Sequence, residues 1–218
     1  MAVIAIIVLM CFSPEASFIV SGTLAATSAA IAHKPKPKRE RFMALIPLIF
    51  AIQQFFEGIV WLYVGNPGPW LTIGTYIFVS IAFLFWPVYV PFAVQKAEKD
   101  PARKRMMTAL LVAGVLASIW FLQYLLASGV NTRVDQQCLQ YSVPMPWTVG
   151  LLYWLGANGA LLLSSNRFWV LGGLLSTTGA LIAQAVYPFA VASIWCYFAA
   201  VICLVIAVDY FKNATRGE

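Results

Sequence analysis

The sequence predicts an all-α, membrane-embedded bundle of seven helices, with the amino terminus outside and the carboxyl terminus in the cytoplasm. Three observations predict it. The 218 residues are 61% hydrophobic and only 10% charged, against about half apolar and a quarter charged in ordinary soluble domains. Seven apolar stretches at 14–32, 43–64, 70–94, 106–128, 147–165, 168–188 and 191–211 each approach the roughly 20 residues that cross a bilayer. The basic residues fall on alternate connections, and cationic loops stay cytoplasmic.

Span 1 begins at Pro14. Ser13 is a good N-cap, Pro14 suits the first helical position, and Glu15 supplies an acid to the first turn. Residues 1–13 form an apolar pre-segment without a positive n-region, and Met10 is an alternative start. The whole of 1–218 is expected to be one domain. Span 1 carries small residues Ser17, Ser21, Ala25 and Ser28 at steps of three or four, a face that lets another backbone come close. Lys34, Lys36, Lys38, Arg39 and Arg41 follow, in a Lys/Pro stretch that suggests a short extended linker.

Span 2 contains Gln53, Gln54, Glu57 and Trp61, related by three or four residues and therefore on one face. Span 3 includes Pro87 and Pro91, each of which removes a backbone hydrogen bond and can kink a helix beside a cavity. Lys96, Lys99, Arg103, Lys104 and Arg105 follow. Span 4 leads into the longest connection, 129–146, which ends in Val143-Pro144-Met145-Pro146. Spans 5 and 6 are joined through Arg167, and span 6 repeats a small-residue face with Gly172, Gly173, Ser176, Gly179 and Ala183. Span 7 ends near Asp209, expected at headgroup level and paired locally or with the 3–4 loop. Thirteen of the fourteen basic residues lie on one side, Arg133 being the exception. A multi-pass protein of a bacterial inner membrane is expected, its basic loops against anionic headgroups. The net charge of +6 is thereby explained without nucleic acid.

Missing residue types exclude several chemistries. No lysine lies within a span to form a retinal Schiff base, and the single histidine, His33, rules out bis-histidine haem and the histidine-rich zinc hydrolases. No Cys-x-x-Cys pair is present, and no histidine can serve as the base for a serine nucleophile. No cofactor and no metal are expected.

A carboxyl group within a span is expensive and faces a partner or cavity. Orientation brings Glu57 to one depth with Gln53, Gln54, Trp61, Glu15, Trp120, Gln123, Gln184, Trp195 and Tyr197. One reading has Glu57 tying helices through hydrogen bonds, with the aromatics as an interfacial belt. The favoured functional reading is an outward-facing pocket that binds or senses a small cationic or polar molecule through charge and cation–π attraction. Two alternatives stand beside it: an enzyme acting on a lipid or isoprenoid with Glu15 and Glu57 as acid and base, and a ligand-free structural or assembly partner.

Met10-Cys11-Phe12-Ser13, the Gln54 to Trp61 segment, Phe85-Trp86-Pro87, Leu163-Ser164-Ser165-Asn166-Arg167 and Ser193-Ile194-Trp195-Cys196-Tyr197 together resemble an uncharacterised family of small bacterial integral membrane proteins that starts with the Met-Cys-Phe-Ser motif. The resemblance runs from Met10 onward and implies no activity. It draws attention to Cys11, Glu57 and Cys196. Depth places Cys11, Cys138 and Cys196 toward the outer, disulfide-permissive side. A Cys11–Cys196 bridge is expected, with a bridge through Cys138 as the alternative.

Overall fold

The computed structural model describes residues 13–34 and 36–216, leaving aside the side chains of 197, 199–201 and 213–216. The expectations for the pre-segment, for the start at Met10, for Cys11 and for the Tyr197 side chain lie outside the described residues. The chain runs through α1 (Pro14–Ala32), α2 (Ile46–Tyr63), α3 (Pro69–Ala97), α4 (Pro101–Ser128), a hairpin of β1 (Thr132–Asp135) and β2 (Cys138–Tyr141), α5 (147–162), α6 (Arg167–Val186) and α7 (Val191–Arg216). Five helical stretches are long and apolar enough to cross a membrane: Pro14–Ala32, Met43–Tyr63, Pro69–Ala97, Pro101–Ser128 and Arg167–Val186. The stretch 147–165, expected as the fifth span, holds a shorter helical rod, 147–162, which Ser164 and the Asn166 cap separate from α6. The outward surface is apolar, with Ile19 and Leu181 about two-thirds exposed, as lipid contact requires.

Sequence rules account for the helix ends. Ser13 Oγ accepts from the Ala16 amide at 3.3 Å, Asp100 Oδ1 from Ala102 at 2.8 Å, and Asn166 Oδ1 from Phe168 at 2.9 Å, satisfying donors that a helix start leaves unpaired. Lys36 folds back to donate to the carbonyls of Ile31, Ala32 and Lys34, neutralising the negative end of α1. The linker is therefore not simply extended; it also contains a 3₁₀ turn at Lys38–Glu40. On α1 the buried face is Ser17, Ser21, Leu24, Ser28 and Ile31, and Ala25, expected on it, is exposed. Ser21 donates to the Ala51 carbonyl at 2.8 Å, which fixes α1 on α2.

The two prolines of α3 organise the centre. Pro91 has no N–H to return to the Pro87 carbonyl four residues back, and the preceding turn, Ser80–Phe85, is π-helical. Hydroxyl groups complete this loosened stretch: Tyr153 donates to the Ala82 carbonyl at 2.6 Å and Ser118 to that of Leu84 at 2.8 Å. Two glycines close on the freed Pro87 carbonyl. A Cβ on Gly114 of α4 would stand 1.8 Å from that oxygen, and one on Gly156 of α5 2.5 Å from it. Glycine hydrogens directed at a carbonyl make weak Cα–H···O contacts and allow three backbones to meet. The proline kink expected to border a cavity is thus filled on this side by α4 and α5.

The connection 129–146, expected as an irregular loop, folds into the hairpin, pairing Thr132 with Tyr141 and Asp135 with Cys138. Its two-residue turn places Gln136 and Gln137 at φ 45° and 64°, left-handed conformations that a type I′ turn demands and glutamine seldom adopts. The hairpin packs its β2 residues Leu139 and Tyr141 onto the bundle end, opposite the basic loops.

Candidate functional site

The face of α2 identified by spacing does turn inward. Gln53 and Gln54 are fully buried and Glu57 is 2% exposed. Glu57 Oε1 accepts from Ser193 Oγ of α7 at 2.5 Å, and Oε2 from Gln54 Nε2 at 2.9 Å. Gln53 Oε1 accepts from Trp86 Nε1 of α3 at 2.6 Å, while its Nε2 donates to Cys196 Sγ of α7 at 2.9 Å. Trp86 belongs to the apolar cluster of the basic-loop half and Cys196 to that of the hairpin half. Gln53 therefore stitches the two halves together. No ion pair to Glu57 occurs among the described residues, and Gln54 Oε1 is buried without a hydrogen-bond partner.

On the hairpin side of this cluster lies a cavity of about 100 Å³. Its walls include Phe83, Tyr141, Tyr153, Gln184, Trp195 and Cys196. Trp195 is fixed by donating Nε1 to Ser176 Oγ at 2.9 Å and by an edge-on contact with Tyr153, ring centroids 5.3 Å apart. Tyr141 reaches inward from β2 and stacks on Phe78 at 4.5 Å. Its residue is 7% exposed and its hydroxyl has no hydrogen-bond partner among the described residues. Burial, and then the nearby Glu57 and Cys196, push that hydroxyl well above its ordinary pKa. It is a proton donor at any physiological pH, lacking an acceptor. A second, apolar cavity of about 60 Å³ lies behind the same Tyr153–Trp195–Cys196 wall, toward Phe50 and Trp86.

The residues expected together divide into three groups. Gln53, Gln54 and Glu57 form the buried cluster, and Trp195 and Gln184 line the cavity beside it. Trp61 and Trp120 pack half-buried on the hairpin-half core; Trp120 stacks with Tyr124. Glu15 and Gln123 are exposed, because they lie on the outer faces of α1 and α4. The two carboxylates proposed for an acid–base pair do not share a cavity. The expected Cys11–Cys196 bridge is corrected: Cys196 is a free thiol held by Gln53, Cys203 is also free, and Cys138 is disulfide-bonded. The Cys196 thiol instead accepts from Gln53 of α2 and lines the hairpin-end cavity. Sequence reasoning missed Tyr141 and Tyr153. Tyr141 sits in a segment read as loop, although the Leu139/Tyr141 alternation is a two-residue strand signal.

Residues 10–217 match the family described as "Family of unknown function (DUF6629)". No curated protein and no solved structure matches the chain. With nearly the whole chain covered, the protein belongs to the DUF6629 family.

Proposed function

Taking membership of that family as the premise, we propose that the chain is a seven-span protein of a bacterial inner membrane. Its basic loops are cytoplasmic, and its hairpin end binds or senses a small organic cation bearing an oxygen acceptor. The observation that carries the reading is the unpartnered Tyr141 hydroxyl over an aromatic cavity. An unpaired buried donor costs about 1–3 kcal/mol, a cost that an acceptor on a ligand would remove. Phe83, Tyr153 and Trp195 line the cavity with aromatic rings that can attract a cation, and the Glu57 carboxyl lies nearby without lining it. The basic connections 33–41 and 95–105 support the orientation; the outer side then receives the hairpin.

Choline is a suitable probe, since it combines a quaternary ammonium with a hydroxyl. Calorimetric titration of the purified protein should show saturable binding, weakened about fivefold in Tyr141→Phe and about tenfold in Trp195→Leu. Absence of binding by choline, and equally by tetramethylammonium, would remove the ligand reading. The second reading, a ligand-free structural or assembly role, is favoured by one observation, the closed hydrogen bonding of Glu57 to Gln54 and Ser193.

A further inference from the structure

The other end of the bundle holds a larger and chemically different cavity. About 710 Å³ in volume, it lies where four segments of the basic-loop end meet: the 37–40 linker, the end of α3, the 164–169 turn into α6, and the end of α7. Its rim carries Arg39, Lys99, Arg167 and Lys212. Its walls also carry half-buried Glu40, which pairs with Arg39 at 3.8 Å, and are built around two buried carboxylates, Glu98 at 4% exposure and Asp209 at 2%.

Both carboxylates have donors of their own. Glu98 accepts from the amides of Lys99 (2.7 Å), Asp100 (3.1 Å) and Ser165 (2.8 Å) and from Ser165 Oγ (2.8 Å). Asp209 Oδ2 accepts from Asn166 Nδ2 of the 5–6 loop at 2.6 Å, a partner beyond the local or 3–4 loop pairing expected from sequence. Lys99 and Arg167 have no acidic side chain within ion-pair distance among the described residues. Both line the cavity, where Lys99 also feels the charge of Glu40.

Two further features suit an anion. The first turn of α6 forms part of the wall through Arg167, Phe168 and Trp169, and the amides of a helix start favour negative charge. Of these, the Phe168 amide is taken by the Asn166 cap. Trp169, only 3% exposed, keeps an indole N–H with no hydrogen-bond partner among the described residues, a second observation independent of the helix terminus. Ser164, Ser165, Asn166 and Arg167, from a string singled out in the sequence only by the resemblance and the charge pattern, build part of this wall.

We propose that the cavity binds a phosphate ester, the phosphate held by Lys99, Arg167 and the first turn of α6, at the level of the lipid headgroups. A phosphate's spread negative charge matches several cations and amides at once, as a single side-chain carboxylate does not. The ester can come from a lipid headgroup or from a soluble metabolite. The inference does not depend on the hairpin-end cavity.

The test uses the full chain in a neutral detergent and isothermal titration with three probes: dioctanoyl phosphatidylglycerol, glycerol 3-phosphate, and dioctanoyl glycerol, which lacks phosphate. The expected result is saturable binding of a phosphate-bearing probe and none of dioctanoyl glycerol. The Lys99→Gln/Arg167→Gln double variant should weaken that binding about thirty-fold, near fivefold per charge. Arg133→Gln, at the opposite end, should bind as the wild type. Preference for phosphatidylglycerol identifies a headgroup as the source, and preference for glycerol 3-phosphate a soluble ester. Both exchanged side chains are exposed, so the variants should fold; identical thermal midpoints confirm it. No binding of either phosphate probe, equal binding of dioctanoyl glycerol, unchanged affinity in the double variant, or equal weakening by Arg133→Gln would overturn the proposal.

Discussion

The two ends of the bundle treat their buried carboxylates in opposite ways. At the basic-loop end, Glu98 gathers four hydrogen bonds from loop amides and a serine, beside a wide polar cavity. In the hairpin half, Glu57 has two hydrogen bonds from side chains, beside a small aromatic one. The difference follows from where backbone donors are free. Loops between helices have unpaired amides to offer a carboxylate, whereas a helix interior has spent all of its own. Inside the bundle only side chains from neighbouring helices can satisfy an acid. Glu98 thus fastens loops together, while Glu57 joins helices.

The seam between the two halves gives the largest expected effect. Gly114→Ala places a methyl 1.8 Å from the Pro87 carbonyl, and separating α3 from α4 should cost about 3 kcal/mol. Gly22→Ala, with nothing within 4 Å, should leave stability unchanged or slightly raised. Thermal unfolding of both variants checks the contrast, and equal midpoints would show that the seam is not closely packed.

Glu98→Ala comes next, at about 2 kcal/mol, because it strands several loop donors. Burial alone would raise the pKa of Glu98, but the amides of Ser165, Asp100 and Lys99 and the Ser165 hydroxyl together hold it below the ordinary value. Its stabilising contribution is therefore complete above the ordinary carboxylate range and is lost as pH falls through the depressed folded value. The difference in unfolding midpoint between wild type and Glu98→Ala should shrink on acidification. A difference that grew as pH fell would reverse the assignment.

Ser193→Ala should cost about 1 kcal/mol, less than Glu98→Ala, because it removes one of only two bonds to Glu57. A larger loss than at Glu98 would invert the comparison between the two ends. The smallest effect concerns the thiols. Peptide mapping after alkylation without reduction should find Cys196 and Cys203 modified once the protein is denatured, and Cys138 blocked.

Much of this architecture was legible in the sequence. Ser13 and Pro14 mark a helix start, and the three-or-four spacing of Gln53, Gln54 and Glu57 put them on one inward face. The hairpin was not legible, since Gln136 and Gln137 occupy positions where glycine or asparagine usually announces the turn. Tyr141 was hidden with it. Glu15 and Gln123 were misplaced for another reason: depth along a helix follows from span boundaries, but which way a side chain faces depends on how the helices pack. The polar cavity at the basic end was missed because its charges look like ordinary headgroup residues until four segments bring them together.

The central functional claim is that a small cation can enter beside Glu57 from the hairpin end, and the Cys196 thiol, which lines that cavity, reports on it directly. Folded protein treated with a trimethylammonium-bearing methanethiosulfonate should acquire the label at Cys196 and not at the fully buried Cys203, at a rate slowed by excess choline. Labelling of neither thiol, or labelling of Cys196 that choline leaves unchanged, would contradict the account.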